Sequence, residues 1–168
     1  MILLEYIGIV FISILVVVLY KKRIVGSNFL KLGGIAAGLS LTWELAHYVK
    51  GLDFLKPSEE IQNDTSMIGY SLSHAFYDTL IFLALAGAAI VLFGKQSIFS
   101  WDLRVLFLYI LLGFSQEVIV EVIFAEKLKT WKYKISDTNP EFFRGHAVIA
   151  FIEWFIAPAL FWLFSGLI

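Results

Sequence analysis

An all-α bundle of five transmembrane helices is the fold this sequence predicts, on three observations. Of its 168 residues 60% are hydrophobic and only 16% charged; the mean hydropathy is +0.83; and five apolar runs are each long enough, at about 1.5 Å per residue, to cross roughly 30 Å of hydrocarbon. That balance excludes an ordinary water-soluble domain. Thirteen Lys and Arg stand against 14 Asp and Glu, so the basic surplus that nucleic-acid binding requires is missing. The chain has no Cys, which removes disulfides, thiolate nucleophiles and Cys-ligated metals from consideration.

The runs are Ile2–Tyr20, Phe29–Val49, Met67–Phe93, Leu103–Ala125 and Ala147–Ile168, in a single domain spanning 1–168. The first has no basic stretch ahead of it and Lys21, Lys22 and Arg23 directly after it, the pattern of a retained anchor with its N-terminus outside. Two short connections (21–28 and 94–102) alternate with two longer ones (50–66 and 126–146). Because the longer ones follow spans two and four, both belong to one face of a multi-pass cell-membrane protein. Gly34 with Gly38, and Ala84 with Ala88, are small pairs one turn apart that permit close helix approach. Pro158 withholds a backbone donor within span five and frees the carbonyl of Trp154, which predicts a kink unless neighbours compensate.

The informative residues are the ionisable ones inside the spans. Glu44 and His47 stand three apart on span two, His74 and Asp78 four apart on span three, and Glu117 and Glu121 four apart on span four. Span five opens at His146 and carries Glu153 seven residues on. Each pair shares a helix face. An acid at the bilayer centre costs about 2.5–3.5 kcal/mol even on the lenient insertion scale, so five of them should face the bundle interior. Their positions along the spans put all eight groups in the half of the membrane next to the longer connections. The pattern predicts a polar cavity walled by spans two to five, with Tyr70, Ser71, Ser73, Tyr77 and Gln116 at similar depth.

Four uses fit such a cavity. In one, the groups bond only to one another as interhelical glue, although glue more often uses Ser, Thr, Asn or Gln. A proton or ion path is a second use, but the opposite half of the bundle offers no matching polar residues. Metal binding is a third: Glu44-x-x-His47 is half of the paired pattern of di-iron bundles, yet no second copy exists, so neither metal nor cofactor is expected. Acid–base chemistry on a hydrophobic substrate is the fourth and leading use, with Asp78 and Glu44 as proton donor and acceptor and His74 and His47 one turn away as relays. The rival class is a non-enzymatic transport component or helix-binding subunit.

Trp43 and Trp154 each adjoin an acid, and an aromatic-lined acidic pocket suits either cation–π stabilisation or simple packing. Trp101 and Trp162 read as interfacial belt residues. Trp131-x-Tyr133 followed by Asn139-Pro140 predicts a folded lid with a turn. Trp43, Tyr77, Trp131, Tyr133, His146 and Trp154 are the candidate substrate-binding residues. A sequon at Asn63-Asp64-Thr65 matters only in a glycosylating host.

Trp43-Glu44, His74 with Asp78, an acid on span four, Trp131-x-Tyr133, Asn139-Pro140, Gly145, Glu153-Trp154 and Pro158 together resemble a group of small five-helix bacterial membrane proteins. Trp43-Glu44 with Asp78 on the next helix also resembles the membrane-embedded terpene cyclases of meroterpenoid and indole-diterpene pathways. That resemblance implies an intramembrane acid that protonates an alkene or epoxide, with Glu44 and Asp78 as the matching acids and an isoprenoid or lipid as substrate. The chain departs from the bacterial pattern at Tyr77, where a Gly is usual, and at Glu153, where a Gln is usual.

Overall fold

The structure is a computed structural model that describes residues 26–46, 55–57, 67–128, 131–133, 141–143 and 146–168, with positions 14, 17, 18 and 21 of the first run. Of 55–57, 67–68, 70, 124–125, 131–133, 142–143 and 146–150 it describes the backbone. Four helices dominate these residues: α1 (Ser27–Ala46), α2 (Met67–Phe93), α3 (Leu103–Val120) and α4 (Val148–Ser165). They correspond to spans two to five, and the first expected span lies almost wholly outside the described residues. Among the described residues two stretches, Ser71–Phe93 and Leu103–Ile123, are long and apolar enough to cross a membrane.

Local chemistry sets the helix ends. α2 stops where Gly94 takes the left-handed region at φ 87° and its N–H closes onto the Ile90 carbonyl at 2.9 Å, a role glycine fills without Cβ strain. A short 3-10 turn (Lys95–Phe99) follows. α3 then starts at Asp102, whose carboxylate accepts the Arg104 backbone N–H at 2.9 Å and pairs with the Arg104 guanidinium at 2.6 Å, an N-cap that satisfies an otherwise open donor. Two indoles bind this corner to the end of α4. Trp101 Nε1 donates to the Leu163 carbonyl, and Trp162 Nε1 donates to the Asp102 carbonyl, each at 3.0 Å.

The helices close a ring in which α1 packs on α2, α2 on α3, α3 on α4, and α4 on α1. Spacing by four gives each an inward stripe: Leu32, Ala36, Ser40 and Glu44 on α1, and Val105, Tyr109, Gly113 and Glu117 on α3. The centre is filled by aromatic rings. Trp154 stacks on Phe82 at 5.6 Å, Phe82 meets Phe161 at 5.0 Å, and Phe161 stacks on Tyr109 at 5.6 Å. Each such pair contributes about 0.5–1.5 kcal/mol beyond its buried area.

The two longer connections are tied together. Strand β1 (Leu55–Pro57) from the first pairs antiparallel with β2 (Trp131–Tyr133) from the second, Leu55 opposite Tyr133 and Pro57 opposite Trp131. A second ladder joins β3 (Glu141–Phe143) to β4 (His146–Ala147), directly before α4. The expectation that both connections belong to one end of the bundle is therefore met by hydrogen bonding between them. Asn139-Pro140, Gly145 and Asn63–Thr65 lie outside the described residues.

Several expectations need correction. α1 is described as far as Ala46, with Val49 outside the described residues, and the expected fifth span opens with a two-residue strand, its helix starting at Val148. Span four does not continue as α-helix: from Glu121 to Lys127 the winding is π-type, with Leu128 N–H reaching back five residues to Ile123 at 3.0 Å. A Cβ added at Gly34 or Gly38 would meet nothing within 4 Å among the described residues, which include almost none of the first span, and a close helix approach is made at Gly113, where an added Cβ would lie 2.9 Å from Pro158 Cγ. Pro158 is buried in a continuous α4; the absent side chain at position 113 supplies the room its ring needs.

Candidate functional site

The site grows from the positions of acids on the inward stripes. Glu44, two residues from the end of α1, has its Oε1 4.0 Å from Nδ1 of His74 near the start of α2, so the two helices run antiparallel. Counting one turn along both, about 6 Å, brings Ser40 of α1 level with Asp78 of α2. Glu117 on α3 and Glu121, the first residue of the π-type turn that follows it, are both buried. Glu153 completes the set from α4, one residue before the stacked Trp154.

The acids influence one another through their charges. Asp78 senses the charge on Glu44, Glu117 senses Glu121 and Asp78, and Glu153 senses Asp78, Glu44, Glu117 and Glu121. Glu44 and His74 are level nearer the strand ladder, and Ser40 and Asp78 lie one turn deeper. Beneath both, Trp154 and Phe82 begin the aromatic column. Glu44, Glu117 and Glu121 are buried, whereas Asp78, His74 and Glu153 are half-buried, so the accessible edge of the group is on α2 and α4.

The other candidates divide. Trp43 is half-buried beside Glu44, and Trp154 is a core residue stacked on Phe82. Tyr77, one residue from Asp78, is 39% exposed and meets Phe76 edge-on at 6.0 Å. Trp131 and Tyr133 are in β2 and His146 is in β4, placed by backbone at the same end as the acids. His47 lies outside the described residues. Ser71 and Ser73 are buried on α2.

The structure adds three polar atoms that are buried without a hydrogen-bond partner among the described residues: Ser40 Oγ, Tyr109 Oη and Gln116 Nε2. Ser40 and Tyr109 were not singled out by sequence; a lone Ser or Tyr on an apolar helix carries no signal until its face is known. Ser40 is unusual in this chain. The hydroxyls of Thr42, Thr79 and Ser115 each donate to the carbonyl four residues earlier at 2.7 Å, the ordinary fate of a helical hydroxyl. Among the described residues no three His, Asp or Glu side chains converge as a metal-ligand set.

Comparison with known proteins finds no family model, no curated protein and no solved structure that matches this chain.

Proposed function

We propose that the chain is a multi-pass integral-membrane enzyme that performs acid–base chemistry on a hydrophobic substrate, an isoprenoid or lipid, at the acid-rich end of the bundle. The observation that carries this reading is the convergence of five carboxyls and an imidazole from four helices onto one end of an otherwise apolar bundle. Gathering so many acids is costly in a low-dielectric interior, and interhelical adhesion is achieved far more cheaply by neutral amides and hydroxyls. Asp78, half-buried at the accessible edge, serves as proton donor; Glu44, buried and beside His74, serves as acceptor, with the imidazole relaying protons. Trp43 and Trp154 flank the acids, and their ring faces suit a positive charge developing on the substrate, as the likeness to membrane-embedded terpene cyclases implies.

The rival reading, a transport component, is disfavoured by the column Trp154–Phe82–Phe161–Tyr109 beneath the acids, which fills the centre of the ring with stacked side chains. Mass spectrometry of lipids co-purifying with the protein and with Asp78→Asn tests the proposal. An isoprenoid or lipid species that accumulates only on the variant supports it; identical profiles, with the cellular phenotype unchanged after replacing both Asp78 and Glu44, overturn it.

A further inference from the structure

We infer that the Trp101 indole is a spring-loaded latch on the last turn of α4: seated, it caps that turn, and when it swings out its own backbone relaxes and residues 163–168 unwind. The latch is at the short-connection end of the bundle, opposite the acids, and does not depend on the chemistry proposed for them. Three separate observations meet at this residue. The first concerns carbonyls, because the last turn of a helix leaves C=O groups without intrahelical donors. The Trp162 carbonyl accepts the Gly166 N–H at 3.2 Å, and the Ser165 carbonyl accepts the Ile168 N–H at 3.5 Å. The Leu167 N–H, which an unbroken α-helix would turn to Leu163, goes to Phe164 at 3.1 Å. The Leu163 carbonyl receives the Trp101 indole N–H in its place, at 3.0 Å.

The second observation is space. A Cβ built on Gly166 would fall on the Trp101 indole, at Nε1 and Cδ1, so the ring lies directly against the glycine backbone and is expelled once that position carries a side chain. The third is strain. Trp101 has a φ of 50°, the positive value of a non-glycine residue among the described ones, in a region that a bulky side chain occupies only where its surroundings compel it. These contacts make a balance rather than a fixed joint. Trp101 is 49% exposed, so the ring can leave without disturbing the core, and outside it enters the interfacial region that tryptophan favours. Leaving relieves the backbone and loses one hydrogen bond; seating does the reverse. Trp162 sets the limit of the motion. Half-buried, it donates from Nε1 to the Asp102 carbonyl at 3.0 Å and keeps α4 on the α2–α3 corner while the residues beyond it open. Such an opening is local and needs far less free energy than global unfolding.

Hydrogen–deuterium exchange of the full chain in phosphatidylcholine nanodiscs tests the latch, with Trp101→Phe removing the donor and Gly166→Ala expelling the ring. In both variants the amides of residues 166–168 should exchange about tenfold faster than in the parent protein, while those of 105–117 on α3 keep their rates. Unchanged exchange at 166–168 overturns the inference. So does acceleration that extends through α3, because the corner would then brace the whole bundle. Trp101→Phe serves alone if Gly166→Ala does not fold. The spring is read separately, from two melting temperatures in one detergent. If the indole is what holds position 101 at positive φ, the backbone relaxes once the indole is gone, and Trp101→Ala melts no lower than Trp101→Gly. A Trp101→Gly variant that melts above Trp101→Ala would show that the corner itself imposes the positive φ, and the spring-loaded latch would be refuted.

Discussion

His74 Nδ1 stands 4.0 Å from Glu44 Oε1, which places the end of α1 level with the start of α2. It is a modest interaction, because 26% of the His74 side chain is exposed. In a double-mutant cycle of Glu44→Gln and His74→Gln, read by unfolding in detergent, a coupling of about 0.5–1 kcal/mol is expected. Strict additivity would mean that the two side chains do not interact.

The ladder between the long connections gives a second expectation. With no native Cys, Leu55→Cys and Tyr133→Cys placed at paired positions should crosslink on mild oxidation, since opposed residues in a sheet bring Cβ atoms about 4.5–5.5 Å apart. Both single variants should also react with a membrane-impermeant reagent from the same side. Labelling from opposite sides would dismantle the common acid-rich end.

Gly113 and Gly38 should respond differently to the same methyl group. Gly113→Ala drives a Cβ to within 2.9 Å of Pro158 Cγ and should cost about 1–3 kcal/mol of stability. Gly38→Ala meets nothing within 4 Å among the described residues and should be neutral or gain up to about 1 kcal/mol from helix propensity. Melting temperatures of the purified variants in one detergent decide between them.

Asp102 provides a pH-dependent cap. Hydrogen bonds from the Arg104 side chain and backbone, with the guanidinium charge, hold its carboxyl below the usual range. Its contribution is therefore complete above the unfolded value of about 3.9 and fades as pH falls through the lowered folded value. Asp102→Ala should lower Tm by a few degrees near neutral pH, and the gap to the parent protein should narrow on acidification. A gap that is constant with pH would show that the carboxylate charge is not what stabilises this corner.

These expectations differ in how much of them the bare sequence contains. α2 is legible to its last residue, because an apolar run between Asn-Asp-Thr-Ser and Gly-Lys has few other ways to fold. The common depth of the acids is legible too, since it follows from their distances to the long connections. Facing is harder to read. Tyr77 adjoins Asp78 in sequence, but the turn of about 100° per residue carries it outward. Small residues mark where helices can approach, not which pair does, and so the contact at Gly113 has no signature in the sequence. The π-type turn after Glu121 has no residue signature, because its winding answers to packing against other elements rather than to local propensity.

Since β1 and β2 flank the whole of α2 and α3 in the chain, the ladder they form imposes an order on biogenesis. At roughly 5–20 residues per second of synthesis, β1 leaves the ribosome several seconds before its partner exists. Loop closure across so long a segment is unfavourable until the intervening helices have packed into a hairpin that brings their outer ends together. The strands therefore meet last, and the acid-rich end of the nascent protein stays uncapped until the helices beneath it are in place.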